Sequence, residues 1–247
     1  RREIFGKDIK LRGFFLPEMA YSPRVAKIVK DSSYEWLILD ELAVNGKLDR
    51  VDHGRVYYDK NSGLKALVRS RHFSLGFVPD ICSRILDGGE NAPTPAVVVS
   101  ATDAELYGLR HIDHTAEFEK FLERPEVKTE TVSAFMDKDP DSPVKIRPQK
   151  HSWETRVDEY AQGRPFLVWQ DRTNEVQMEL WHFFGFVYKV LKKNKKDSQY
   201  KWARWHLVRG LASCTWWWAS GRDFRHIFGP VAWNPDQIGL GANEFVR

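Results

Sequence analysis

Three apolar runs in the first half of the chain end in the same way. "LRGFFLPE" (Leu11 to Glu18), "EWLILDE" (Glu35 to Glu41) and "PAVVVSATDAE" (Pro95 to Glu105) each pass from apolar residues into carboxylates. Between them lie segments with helical spacing. Ser22-Pro23 has the form of an N-cap with proline at the first helical position, and Val25, Ile28 and Val29 would form the apolar face of that helix. Phe73 to Leu86 reads as another helix, closed by Gly88-Gly89. Strands alternating with helices imply an α/β fold. The unbroken valines of Pro95 to Asp103 predict a strand buried on both faces, as in a parallel sheet.

The rest of the chain fits around this pattern. "RVYYDKNSGLKALVRS", Arg55 to Ser70, reads as a hairpin turning at Asn61-Ser62-Gly63. A helix is expected over Thr115 to Leu122, stopped by Pro125, then a strand over Lys128 to Met136 and a long loop from Asp137 to Gln149. From Asn174 onward the apolar spacing is helical, in "NEVQMELWHFFGFVYKVLKK" and again in "KWARWHLVRGLASCTWWWAS". The expected organisation is a partial (β/α) barrel over residues 1–150, followed by a mostly helical, Trp-rich subdomain over 151–247.

Composition narrows the function classes. A chain of 247 residues, 42% hydrophobic and 29% charged, can build a sizeable core. Its net charge of +4 is too small to argue for a nucleic-acid partner, and "KKNKK" (Lys192 to Lys196) reads as a solvated turn. No apolar run has the length of a membrane span, and Arg1-Arg2-Glu3 does not lead into a signal-peptide core. The two cysteines, Cys82 and Cys214, offer neither a metal finger nor a disulfide framework; a reducing, cytoplasmic setting is expected. Ten Trp, eight Tyr and fifteen Phe make the chain rich in flat apolar surface.

In an α/β barrel the chemistry sits at the C-terminal ends of the strands. Glu18, the pair Asp40 and Glu41, and the pair Asp103 and Glu105 all fall at such ends. A strand-end acid can equally cap the next turn. Two carboxylates flanking one bond are what glycoside hydrolysis requires, one attacking the sugar carbon and the other protonating the leaving oxygen.

"GFFLPEMAYSP" resembles the nucleophile motif of glycoside hydrolase family 57, "SATDAELYG" its acid/base motif, and "GLASCTWWWASG" its late helical motif. "VRSRHFSLGF" and "FLVWQDRTNEVQMELW" are similar to connecting segments of the same family, so the resemblance runs in order from Phe5 to Ser220. It implies a (β/α)7-type barrel with a helical subdomain, acting on oligo- or polysaccharide α-glucans by retaining hydrolysis or transfer, with no metal and no organic cofactor. It places Glu18 on the nucleophile and Asp103 on the acid/base. It also marks Trp217, Trp218, Glu105, His111 and Trp169 as sugar contacts.

Three departures from the family pattern stand out. No His-containing first strand precedes "GFFLPE", so the barrel is expected to be incomplete. Ala104 replaces a glycine in the acid/base motif, and Thr215 and Trp216 stand where the family often has polar residues. Two other readings follow: a carbohydrate-binding or structural pseudoenzyme of the same fold, and a metal-dependent polysaccharide deacetylase-like hydrolase. For the latter, His111 and His114 in "RHIDH", three apart, offer a metal-ligand pair. Trp216 to Trp218 cannot share one helix face, so one or two belong to the core.

Overall fold

A computed structural model describes residues 10–74, 77–88, 96–104, 116–138, 143–222 and 234–247. The chain separates into two compact units, Arg1–Gly163 and Arg164–Arg247. The first unit is built on five strands: β1 (Gly13–Phe14), β2 (Trp36–Leu39), β3 (Tyr57–Asp59), β4 (Lys65–Val68) and β5 (Val144–Ile146). They form one sheet in the order β1-β2-β4-β3-β5. β1, β2 and β4 run parallel, β3 returns antiparallel to β4, and β5 is parallel to β3. The fold is therefore mixed α/β with a predominantly parallel sheet and one antiparallel pair.

Its cause is the hairpin read at Arg55 to Ser70. Gly63 takes φ of +77° at the turn, a conformation open to glycine at little cost. Asp59 holds the turn by accepting from Asn61 N–H (2.8 Å) and Ser62 Oγ–H (2.6 Å). At the other edge Gly13 lies opposite Trp36 in the β1–β2 register, and a Cβ there would collide with the indole.

The sheet is covered on both faces. Leu37, Leu39, Ala66 and Val68 pack with Ala26 and Val29 of helix α1 (Pro23–Asp31) and with Ala43 of helix α2 (Leu42–Asn45). Leu67 points the other way and packs with Val56 and Met136, flanked by Trp36, Val132 and Phe135. α1 starts as read, with Ser22 Oγ accepting from Val25 N–H (3.2 Å). Its inner face differs from expectation: Ala26 and Val29 are buried, while Ile28 is 56% exposed.

Two strand expectations are overturned. The described part of Pro95 to Asp103 has no regular secondary structure, and Val98 is 37% exposed. The reason is topological: β2 and β3 already occupy both edges of β4. The segment instead runs beside the end of β4, where Ser70 N–H donates to Val99 O (2.7 Å) and Ala101 N–H donates to Ser74 Oγ (3.1 Å). Lys128 to Met136 was expected as a strand, but Val132–Lys138 is a helix whose buried Met136 fills the second face of the sheet. The expected loop after it contains β5, which pairs with β3 and keeps the following segment, through helix Val157–Ala161, in the first unit.

Every described element of the second unit is a helix: Glu175–Lys193, Tyr200–Gly210, Ser213–Trp217 and Pro235–Val246. The run read as a single second helix breaks after Gly210. Their core gathers Val168, Trp169, Leu180, Leu191, Leu207, Trp216, Ala219 and Phe245. Gln177 crosses that core with all its polar atoms used. Its Nε2 donates to Val168 O (2.6 Å) and Trp216 O (2.9 Å), and its Oε1 accepts from Asp171 N–H (2.8 Å).

Candidate active site

Two residues after β1 (Gly13–Phe14) the chain turns through a single 3-10 turn, Pro17–Met19. Glu18 and Met19 within it have φ of 56° and 45°, a left-handed conformation that residues with a Cβ rarely adopt. Such backbone costs on the order of 1–3 kcal/mol per residue and persists only where its surroundings enforce it. Here Met19 is fully buried, and its N–H donates to Leu16 O (2.8 Å) while Ala20 N–H donates to Pro17 O (3.0 Å). Tyr21 and His151 then exchange two backbone bonds, Tyr21 N–H to His151 O (2.8 Å) and His151 N–H to Tyr21 O (3.3 Å).

That bridge brings up the segment following His151. Trp153 N–H donates to the Glu18 carbonyl (3.3 Å), and the indole Nε1–H donates to Glu18 Oε2 (2.8 Å). The carboxylate is half-buried against this ring. Phe15 packs on the same indole, with ring centroids 6.1 Å apart.

Asp40 and Glu41, the acids ending β2, are fully buried and consumed by structure. Asp40 accepts from Arg71 Nε–H (2.9 Å) and Nη2–H (2.8 Å), a two-pronged pair. Arg71 Nη2 also reaches the carbonyls of Thr155 (2.8 Å) and Ser152 (3.3 Å), which pins the segment that bears Trp153. Glu41 accepts from the backbone N–H of Arg71 (2.7 Å) and of Asp49 (2.7 Å).

Arg69, on the strand side of Asp40, joins two parts of the site. Its Nε lies 3.4 Å from Asp40 Oδ2, an ion-pair contact without hydrogen-bond geometry. Its guanidinium carbon sits 5.3 Å from the centre of the Trp153 ring, a cation–π contact. Its Nη1–H donates to Ala101 O (2.6 Å), just ahead of Asp103. Burial lowers the pKa of this arginine, and Asp40 opposes the shift.

Asp103 is exposed, in the segment that passes the C-terminal end of β4. β1 and β4 both run parallel to β2, so Glu18 and the Asp103 segment belong to the same end of the sheet. Ala104 is not among the residues with positive φ, so the replaced glycine imposes no left-handed backbone here. In the second unit Trp216 is buried and stacked on Trp181, with ring centroids 4.3 Å apart. Trp217 and Trp218 are half-buried and lie edge to face. Trp169 is 8% exposed, within the helical core. Glu105, His111 and His114 lie outside the described residues. Among the described residues no three His, Cys, Asp or Glu side chains gather as a metal site.

Sequence reasoning missed Trp153, Arg69 and Arg71. One signal was available: Trp153 stands in "QKHSWETR", a polar stretch where a tryptophan has no periodic partner to pack on.

The family model of glycosyl hydrolase family 57 matches residues 1–145, a span that includes Glu18 and Asp103. The chain belongs to glycosyl hydrolase family 57. Solved structures share the fold of this family-57 chain. A branching enzyme from Thermococcus kodakaraensis, in complex with glucose, aligns with a TM-score of 0.60 at 15% identity, over 99% of this chain and 57% of that one. A branching enzyme from Pyrococcus horikoshii gives 0.61 at 16%, over 99% and 56%. The α-amylase AmyC from Thermotoga maritima gives 0.53 at 14%, over 95% and 58%. The chain thus spans a little over half the length of each. No curated protein matches its sequence.

Proposed function

We propose that this family-57 chain carries the catalytic carboxylates of a glycoside hydrolase or glucanotransferase acting on α-glucans. The observation that supports it most is Glu18: an acid just past a strand end, on strained backbone, with its carboxylate held by the half-buried Trp153 indole. Strain held in place at a strand end is a mark of a working site. The solved relatives of the same fold are described as branching enzymes, an amylase and a 4-α-glucanotransferase, which points to α-glucan as the substrate class.

In this reading Glu18 attacks the anomeric carbon as Asp103 gives a proton to the departing glycosidic oxygen. The glycosyl–Glu18 ester is then cleaved by water, or by an acceptor hydroxyl, whose proton returns to Asp103. The anomeric configuration is retained. Trp217, Trp218, Glu105, His111 and Trp169 are, in the same reading, the residues that meet sugar rings. The free thiols of Cys82 and Cys214 suit a reducing, cytoplasmic setting.

Activity on maltooligosaccharides tests this. Glu18→Gln and Asp103→Asn should each lower kcat by on the order of 10²–10⁴-fold with the fold intact. Turnover undiminished in Glu18→Gln would remove Glu18 from the chemistry. A wild-type chain that binds maltooligosaccharides without turnover would favour the pseudoenzyme reading.

A further inference from the structure

We propose that Trp153 is the positioning residue for the Glu18 carboxylate, and that Arg69 ties its indole to the segment bearing Asp103. The kinetic part of this inference rests on Glu18 being the nucleophile; the structural part does not. A nucleophilic carboxylate must present one oxygen along a fixed line to the anomeric carbon. A glutamate side chain has three rotatable bonds and does not hold such a line by itself. Trp153 grips the residue twice, at the carbonyl through its own backbone N–H and at Oε2 through Nε1–H. The backbone grip helps to enforce the left-handed turn, and the side-chain grip fixes the carboxylate on it.

The indole is itself held on several sides. Phe15 packs on it, and the Arg69 guanidinium lies over it. Arg71, anchored on Asp40, binds the carbonyls on either side of Trp153 in the chain. Because Arg69 also donates to Ala101 O, one buried cation reports on both sides of the site. A shift of the indole would move Glu18, and a shift of Arg69 would move the indole and the Asp103 segment together. Misplacing a reacting group by about 1 Å is enough to cost about 10²-fold in rate.

The test is Trp153→Phe, which keeps a ring for Phe15 and Arg69 and deletes the indole N–H. In the active chain kcat should fall about 10- to 10²-fold while KM on maltooligosaccharides and the melting temperature stay close to wild type. A loss of stability with kcat and KM changed together would show a merely structural tryptophan and overturn the proposal. A kcat equal to wild type would also overturn it. Glu18→Gln is measured beside it: if that variant retains full turnover, the nucleophile assignment fails while the contact is still decided by a second readout. In ¹⁵N-indole NMR the Trp153 Nε1–H resonance should move, and exchange faster with water, in Glu18→Ala. An unmoved resonance would show that the indole does not hold Glu18.

Discussion

His151 stacks on Tyr21, with ring centroids 5.1 Å apart, and is fully buried. Its Nδ1 donates to Gln149 O (2.8 Å), which fixes the tautomer and leaves Nε2 as a buried atom without a partner. Burial lowers its pKa; Asp40 and Asp59 oppose that shift and Arg71 adds to it. The unfolded chain therefore takes up a proton near the ordinary histidine value of about 6.5 where the folded chain does not. The neutral ring contributes its stability above that pH, and the contribution is lost as pH falls below it, at up to about 1.4 kcal/mol per pH unit. Urea unfolding between pH 7 and 5 should show this slope in the wild type and a shallower one in His151→Gln; equal slopes would contradict the assignment. Glu18 shows what sequence can and cannot give at this scale. Its place at a strand end was legible from "RGFFLPE", because an apolar run stopping at Pro and an acid is a local pattern. Its left-handed backbone was not, because the residues that enforce it lie far along the chain: Trp153 is 135 positions from Glu18.

At the scale of elements the organising feature is the end of β2. Asp40 receives Arg71 and adjoins Arg69, and through them the end of β4 is joined to the Trp153 segment and to Ala101. Removing one partner of a buried ion pair strands the other, so Asp40→Asn should cost about 3–5 kcal/mol, read as a lower urea midpoint. A loss below about 1 kcal/mol would mean the pair behaves as a surface contact. In the helical unit Gln177→Met should cost about 1–3 kcal/mol, since it orphans Val168 O, Trp216 O and Asp171 N–H. A neutral result would mean that water takes up those groups. The hairpin, α1 and the helix over Glu175–Lys193 were readable because each is signalled locally, by a turn, a cap or a period. "PAVVVSATD" and "KTETVSAFM" misled for one shared reason: β-branched residues favour strands in general, but β4, beside which the first runs, already had both sides paired, and the sheet needed a covering helix from the second.

For the whole molecule, the ordered series of motifs from "GFFLPE" to "SCTWWW" was enough to indicate the family, because a nucleophile, an acid/base and a late aromatic cluster in that order form a chemical programme rather than a composition. The sequence did not reveal the lattice of arginines and one tryptophan beneath the carboxylates, which exists only once β2, β4 and the Trp153 segment are assembled. Whether that lattice serves retaining chemistry is tested most directly by trapping the glycosyl–enzyme ester with a 5-fluoro-α-glucosyl fluoride and locating the added mass after tryptic digestion. Glu18 is the one carboxylate side chain between Gly13 and Arg24. The label should fall on that peptide and be absent in Glu18→Gln; a label on any other carboxylate, or a product of inverted anomeric configuration, would contradict the account.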